Sequence, residues 1–352
     1  MTKNKLDLSS YFVISSSCRL TKGCCRTIIQ DFKRNYADYV PNDYYELCSV
    51  LDRHKISEII DQIDEESQDN FMVFIDFMLE KEYAFLTGDI SLFPPISTEL
   101  HETDILTDAI VEIDCERTDK AIVTQFLNEI DDMGCRCLQV RLYSCPDNTS
   151  VIHVSDFVCQ YDFNYIEIHI DSATIITYDE CCNLLLTHAQ ISNLFLYNAL
   201  KYEARDYNEM GANGIETQIG SVVYIQDGLD SCHCGIVNKY CHVYGDMTFY
   251  LMSQNMNSCL YRKISLDRQG NVRNCPSAPE KYDLKIGLRN ILQSDEFRKY
   301  WTIKKDDIDT CRDCEYRYNC LDCRFHTKDG GLYSKPATCQ YDPYNVNKTF
   351  ED

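Results

Sequence analysis

The feature that most constrains this sequence is a run of seven cysteines near its end. Cys259 is followed by ten residues, Gly270, four residues and Cys275. A second block holds Cys311, Cys314, Cys320, Cys323 and Cys339, with gaps of two, five, two and fifteen residues. Thiols at short, fixed gaps form the ligand pattern of tetrahedral zinc and of iron–sulfur centres. The end of the chain is therefore expected to be a loop-rich module held together by metal, with the rest of the chain organised around it.

Composition narrows what that rest can be. At 352 residues the chain exceeds one ordinary domain and divides into two or three. Its 21 cysteines are odd in number, which sits poorly with a disulfide framework. Lys3 and Lys5 precede Leu6-Asp7-Leu8 with neither a long apolar run nor a small-residue cleavage site. A reducing, cytoplasmic setting is thus expected, in which most cysteines outside the array are small buried hydrophobes. The most apolar window, Phe71 to Leu79, is short and broken by Asp76, so no membrane span is expected. A net charge of −22 repels phosphate backbones, so nucleic acid is not an expected partner, whereas a peptide is.

Residues 1–90 read as strands, then helices. Tyr11-Phe12-Val13-Ile14 signals a strand, Lys22-Gly23 a turn and Arg26-Thr27-Ile28-Ile29 a returning strand. Asn42-Asp43 behind Pro41 would cap a helix towards Leu51, and a second helix begins near Ser57. A third covers Asn70 to Lys81, with Phe71, Phe74, Phe77 and Met78 on one face, before a strand at Tyr83–Thr87. This is the outline of a small winged-helix-like module whose groove or edge strand would take a peptide; the alternative is a mere capping subdomain.

Pro94-Pro95 marks a boundary. Beyond it, apolar β-branched runs at Ala109–Asp114, Arg136–Tyr143, Tyr165–Asp171, Asn193–Asn198 and Val222–Gln226 recur about every 28 residues, the length of a strand-plus-helix unit. Thr118–Met133, with Ile122, Phe126 and Ile130 in helical phase, and Tyr178–Ala189 suit the intervening helices. Residues 91–230 are therefore expected to be α/β, with a parallel sheet that is open or a partial barrel. From residue 231 the rhythm gives way to the cysteine-rich end.

The cysteine array resembles the SPASM domain of radical S-adenosylmethionine peptide-modifying enzymes. That family carries a cysteine, a gap, Gly-x4-Cys, and then Cys-x2-Cys-x5-Cys-x3-Cys with a late cysteine. Here the last interval of the block is two residues, not three. The grasp-with-spasm peptide maturases are the nearer resemblance, through Asn257-Ser258-Cys259-Leu260-Tyr261-Arg262-Lys263-Ile264-Ser265, Asn274-Cys275-Pro276-Ser277, Cys311-Arg312-Asp313-Cys314-Glu315-Tyr316-Arg317-Tyr318 and Tyr333-Ser334-Lys335-Pro336. The resemblance implies a degenerate partial (β/α) barrel of the radical SAM type over 91–230, followed by a SPASM domain over 231–352. It implies one [4Fe–4S] cluster on Cys311, Cys314, Cys320 and Cys339. A second would use Cys259, Cys275, Cys323 and a fourth ligand, taken as Cys234 of Cys232-His233-Cys234-Gly235, with Cys241 next. Zinc is the alternative metal.

The same resemblance departs at the chemistry. A radical SAM enzyme needs Cys-x3-Cys-x2-Cys after its first barrel strand. If that strand is Ala109–Asp114, the three positions hold Cys115, Asp119 and Ile122, and isoleucine cannot ligate iron. No S-adenosylmethionine site is evident. The implied role is a maturation protein that binds auxiliary clusters and acts with an ATP-grasp ligase on a ribosomal precursor peptide. Whether it catalyses a step alone stays open. The rivals are an active radical SAM-like redox peptide-modifying enzyme, with an unusual cluster at Cys18, Cys24 and Cys25, and a zinc-stabilised peptide-binding adaptor. Asp227 and Asp230 read as a solvated loop, His153, His169 and His188 as structural, and Gly211, Gly214 and Gly220 as no phosphate cradle, since no Lys-Ser/Thr follows.

Overall fold

The computed structural model describes residues 7–97, 99, 105–210, 215–230 and 246–346. These form two compact units. Residues 7–97, 246–258 and 303–346 belong to one, and residues 105–230 and 259–302 to the other. Among the described residues, no helix is long and apolar enough to cross a membrane.

The first unit opens with β1 (Tyr11–Ile14), β2 (Cys18–Lys22), β3 (Thr27–Asp31), β4 (Tyr36–Val40), α1 (Asn42–Leu51), α2 (Ile56–Ile60), α3 (Glu65–Glu80) and β5 (Ala84–Thr87). The return strand expected at Arg26–Ile29 exists, but its partner is β2, in a β2–β3–β4 meander. β1 instead pairs antiparallel with β5, Tyr11 opposite Thr87. The four-residue turn from Gly23 to Arg26, closed by a 2.8 Å bond from Gly23 N to Arg26 O, brings β2 directly alongside β3. Asn42 starts α1 without capping it. Its amide donates to Gly23 O at 3.0 Å and its carbonyl accepts from Thr27 at 2.9 Å, which ties the helix to the meander. Asp64 does cap α3, accepting from Ser67 N at 3.0 Å, and so starts that helix ahead of Asn70. Phe71, Phe74, Ile75 and Met78 of α3 pack with Phe12, Leu51, Ile56 and Tyr83, whereas Phe77 is only partly buried.

The second unit continues with β6 (Asp108–Asp114), α4 (Lys120–Asp132), β7 (Cys137–Tyr143), α5 (Asn148–Val158), β8 (Tyr165–Ile170), α6 (Tyr178–Thr187), β9 (Ile191–Leu196), β10 (Glu203–Met210) and β11 (Glu216–Tyr224). The chain then supplies α7 (Met247–Asn255) to the first unit. It returns to the second with β12 (Lys263–Leu266), β13 (Asn271–Arg273), β14 (Tyr282–Asp283), α8 (Leu288–Gln293) and α9 (Asp295–Arg298). Past residue 303 it runs through turns and short 3-10 stretches.

Among the described residues, the nine strands from β6 onward form one sheet, in the order β10-β11-β9-β8-β7-β6-β12-β13-β14. The six from β11 to β12 run parallel, while β10 at one edge and β13 next to β12 run against them and β14, antiparallel to β13, closes the other edge. The protein is thus mixed α/β with a large, mostly parallel sheet. Strands β6 to β9 are neighbours in sequence order. Right-handed crossovers between successive neighbours place every connecting helix on one face of the sheet. That is the winding of a barrel, here left open at both edges. Between β9 and β11 the expected helix is replaced by β10, which turns back as an edge strand. β12 beside β6 adds a parallel strand from residues that the sequence reading groups with the cysteine-rich end.

Register explains the core. Leu266, Val111, Val140, Ile168, Leu194 and Val222 lie side by side across six strands and are all fully buried. Gly220, two residues from Val222, lets α6 approach: a Cβ there would stand 2.7 Å from a Leu185 methyl. Gly270, the glycine of the Gly-x4-Cys spacing, has φ +82° in the β12–β13 turn. There the Asp267 carboxylate accepts from the backbone N–H groups of Gln269 (3.0 Å) and Asn271 (2.8 Å), locking a conformation that favours glycine.

Candidate functional site

Strands buried inside a parallel sheet ordinarily read as unbroken apolar runs. Here β6 to β9 alternate, and the alternate positions are polar: Glu112 and Asp114, Gln139, Arg141 and Tyr143, Glu167 and His169, Asn193. In-register pairing sets Glu112, Arg141, His169 and Phe195 side by side on the face opposite the apolar row.

Glu112 and Glu167, two of the carboxylates on this face, are pushed in opposite directions. Burial raises Glu112, and Arg141 at 3.6 Å offsets this only in part. Glu167 is half-buried, but hydrogen bonds from His169, from Tyr165 at 2.8 Å and from Gln139 at 3.2 Å hold its carboxyl below the usual value. His169 faces Glu167 Oε2 through Nε2 at 3.4 Å and the Tyr197 hydroxyl through Nδ1 at 3.0 Å, with its ring stacked 4.4 Å from Phe195. Tyr143 donates to Glu112 at 3.4 Å and carries the Arg268 guanidinium 4.0 Å above its ring. Arg268 in turn pairs with Asp230 at 3.1 Å, so Asp230 is anchored. Two strands apart, Glu112 is thus biased towards protonation and Glu167 towards ionisation. The Glu167–His169–Tyr197 contacts hold the imidazole between a carboxylate and a hydroxyl. His188, by contrast, pairs with Asp156 at 2.9 Å and joins the ends of α6 and α5.

In the first unit the tail cysteines gather. Cys314, Cys320 and Cys339 pack in one cluster with Ile28, Tyr316 and Tyr341. Cys311 lies within electrostatic reach of Cys314 and Cys339. Single tight turns shape the loop: Cys314 N bonds Cys311 O at 3.0 Å, and Asn319 N bonds Tyr316 O at 2.9 Å. Burial pushes the Cys311 and Cys314 thiols up.

The surroundings carry an unbalanced charge. Lys305, fully buried, sits 3.1 Å from Asp322 Oδ1 and 4.0 Å from Cys311 Sγ. Arg324, also buried, bonds the same Asp322 oxygen and the carbonyls of Leu332 (2.9 Å) and Ser334 (3.0 Å). Two cations on one carboxylate leave a net +1 (2 − 1) beside the thiols. Burying surplus charge is expensive unless an anion meets it. Soft sulfur donors next to buried positive charge fit a thiolate-bound metal group. Among the described residues, however, no three His, Cys, Asp or Glu side chains are arranged to hold a metal ion. The fold brings the four sulfurs into one neighbourhood without closing a ligand sphere.

The other expected ligand set draws on both units: Cys259 and Cys275 belong to the second and Cys323 to the first. Cys259 and Cys275 flank the open end of the β12–β13 hairpin, where Asn274 donates to Leu260 O at 3.0 Å and Lys263 O at 2.6 Å, and Lys263 Nζ lies 3.7 Å from Cys259 Sγ. Cys323 is buried in the other unit. Cys232, Cys234 and Cys241 lie outside the described residues, as do Gly211 and Gly214. The trio Cys18, Cys24 and Cys25 is not together: Cys24 and Cys25 are exposed at the β2–β3 turn, with sulfurs 3.6 Å apart, and Cys18 is buried at the far end of β2. Asp119 caps α4, and Ile122 packs against the Gly270 turn.

The N-terminal module holds a groove of about 750 Å³ between β1, β2, α1 and the Phe93–Ile96 segment. Leu20, Tyr45, Leu92, Phe93 and Ile96 make it apolar, with Arg19 and Asp52 adding charge.

No protein-family model matches the chain, and no curated protein does. Among solved structures, the crystal structure of Streptococcus suis SuiB bound to S-adenosylmethionine is similar over 94% of this chain and 100% of that one, with a TM-score of 0.38 and 9% identity. A likeness of that degree carries no argument about this protein's fold or chemistry.

Proposed function

We propose that the protein is an iron–sulfur-binding maturation protein that acts on a ribosomally made precursor peptide alongside an ATP-grasp ligase, as its cysteine motifs imply by resemblance. The observation that supports the metal is the surplus buried positive charge of Lys305 and Arg324 over Asp322, set beside Cys311, Cys314, Cys320 and Cys339. Those four cysteines would hold one [4Fe–4S] cluster, which when bound supplies electron transfer or a staple for the loops. Cys259 and Cys275 would contribute to a second. Lys305 and Arg324 hold the positive charge that such a group requires. The apolar groove at β1, β2 and α1 is the surface for the peptide, and the polar face of the sheet is where a polar substrate group would be oriented and a proton held.

Anaerobic quantification of metal and sulfide tests this reading. The expected result is iron with matching acid-labile sulfide and broad visible absorption, lost in Cys314→Ala and Cys320→Ala and retained in Cys115→Ala. Zinc in place of iron points to the adaptor alternative, and a colourless, metal-free protein overturns the metal reading altogether. Deleting residues 1–90 is not a clean test of peptide binding. Arg26 pairs with Glu315 at 2.7 Å and Ile28 packs beside Cys320, so the deletion would disturb the thiols as well. Leu20→Asp in the groove is the sharper probe: it should weaken binding of peptides selected against the intact protein and leave iron content unchanged.

A further inference from the structure

Free cysteine is among the most buried residue types, since its thiol packs as a small hydrophobe and is reactive when left in solvent. Among the described residues, Cys24 and Cys25 alone are exposed. They are neighbours in the turn from β2 to β3, with their sulfurs 3.6 Å apart. An exposed pair fills no core, and what sets it apart is the chemistry of two sulfurs side by side.

The turn that carries them is fixed from both sides. Gly23 N closes it onto Arg26 O at 2.8 Å, and Cys24 N donates to Asp313 O at 2.8 Å. The Asn42 amide donates to Gly23 O at 3.0 Å and to Cys24 O at 3.3 Å. Gly23 lies so close to the neighbouring loop that a Cβ on it would stand 2.9 Å from Glu315 N. The Cys24 thiol is aimed as well, donating to Pro343 O at 3.0 Å. A backbone held in this way presents the two sulfurs already paired, so a ligand need not order them.

The spacing favours one of the two reactions open to adjacent thiols. Two sulfurs each about 2.3 Å from one tetrahedral zinc ion stand ~3.8 Å apart. The 3.6 Å between Cys24 and Cys25 matches that chord without rearrangement. A disulfide fits worse, because a trans peptide holds adjacent Cα atoms about 3.8 Å apart, inside the roughly 4.4 Å at which unstrained bridges begin. We propose that Cys24 and Cys25 form a solvent-facing two-thiolate site for a thiophilic divalent metal ion of the zinc kind. The ion displaces one proton from each sulfur, so two protons leave for each ion bound. The Pro343 carbonyl, relieved of the thiol proton, offers an oxygen beside Cys24, and water completes the coordination. Charge favours a cation here, since the Asp313 carboxylate acts on Cys24 and the chain carries −22 overall. Two sulfurs fall short of the ligand set of a structural zinc site, so the ion exchanges with solvent.

The test uses full-length protein purified anaerobically, with any metal on the tail cysteines left in place and exchangeable ions removed by a weak chelator. It is treated with N-ethylmaleimide with and without added zinc, and peptide mapping by mass spectrometry reads each cysteine separately. Zinc should slow modification of Cys24 and Cys25 at least about tenfold, since a metal-bound sulfur is not free to attack. Cys159, half-exposed at the end of α5, should react at one rate throughout. In Cys25→Ser, zinc should no longer protect Cys24, and in Cys24→Ser it should no longer protect Cys25, because one thiolate does not retain the ion. Unchanged rates at Cys24 and Cys25, protection that extends equally to Cys159, or protection that survives in either variant would overturn the inference, whatever the tail cysteines hold.

Discussion

Replacing Asp322 with alanine is the sharpest test of the charge pattern around the tail cysteines. The substitution strands two buried cations: Lys305 loses its partner at 3.1 Å, and Arg324 loses the same oxygen. Asn257 also loses the acceptor that its amide reaches at 3.1 Å. Removing one partner of a buried ion pair costs about 3–5 kcal/mol. The expected loss is therefore about 3–5 kcal/mol, a large share of the roughly 5–15 that a domain has. Lys305→Met works the other way. It removes the surplus cation and leaves Arg324 and Asp322 matched one to one, so metal-free protein should change by no more than about 1.5 kcal/mol. The same change withdraws the positive charge beside Cys311, so the loaded protein should surrender metal to a chelator faster. Urea denaturation followed by circular dichroism, on chelator-treated and on anaerobically loaded protein, measures the first quantity, and chelator competition measures the second. If Asp322→Ala stays within about 1 kcal/mol of the parent, or Lys305→Met is the more damaging in metal-free protein, the surplus-charge argument fails.

The remaining predictions concern the sheet. Because burial raises Glu112, the stability it contributes is full below the ordinary carboxylate value of 4.5 and is lost as pH rises through its folded value. Glu112→Gln should thus gain on the parent as pH is raised from the acid side to neutrality, read as denaturation midpoints across that range. Glu167, held low by its hydrogen bonds, contributes stability above 4.5 that is lost as pH falls, so Glu167→Gln should be most penalised at neutral pH. Parallel pH profiles for the two variants would contradict the opposed environments. Gly220→Ala should cost about 1–3 kcal/mol, because its methyl meets Leu185 and the Ser192 carbonyl at 2.7 Å. An unchanged urea midpoint would mean that α6 moves away freely.

What local chemistry decides was readable in the sequence. The β-branched runs became β6, β7, β8, β9 and β11. The Thr177–Glu180 capping box starts α6, and Asp119 starts α4. What distant geometry decides was not. Nothing near Tyr11–Ile14 says that its partner is Ala84–Thr87, and nothing near Lys263–Leu266 says that it lies beside Asp108–Val111. Both pairings join residues far apart in sequence, and a strand pattern specifies which face is apolar, never which strand lies alongside. The tail cysteines show the same division. Their spacing points to a nest of sulfur, but Lys305, Asp322 and Arg324 converge on it only through folding.

The polar face was visible in principle, as Glu-Ile-Asp at residues 112–114, Gln-Val-Arg-Leu-Tyr at 139–143 and Tyr-Ile-Glu-Ile-His at 165–169. Reading these runs as simply apolar hid it, because a doubly wound sheet buries both faces under helices and has no use for the alternation. Strand order resolves the matter. Once β6, β7, β8 and β9 are successive neighbours, right-handed crossovers set α4, α5 and α6 on one side, and the other side needs no apolar row to receive them. The winding itself is therefore what allows Glu112, Arg141, Glu167 and His169 to stand together. A strand inserted between β7 and β8 would separate Arg141 from His169 and break the group without touching any of its members.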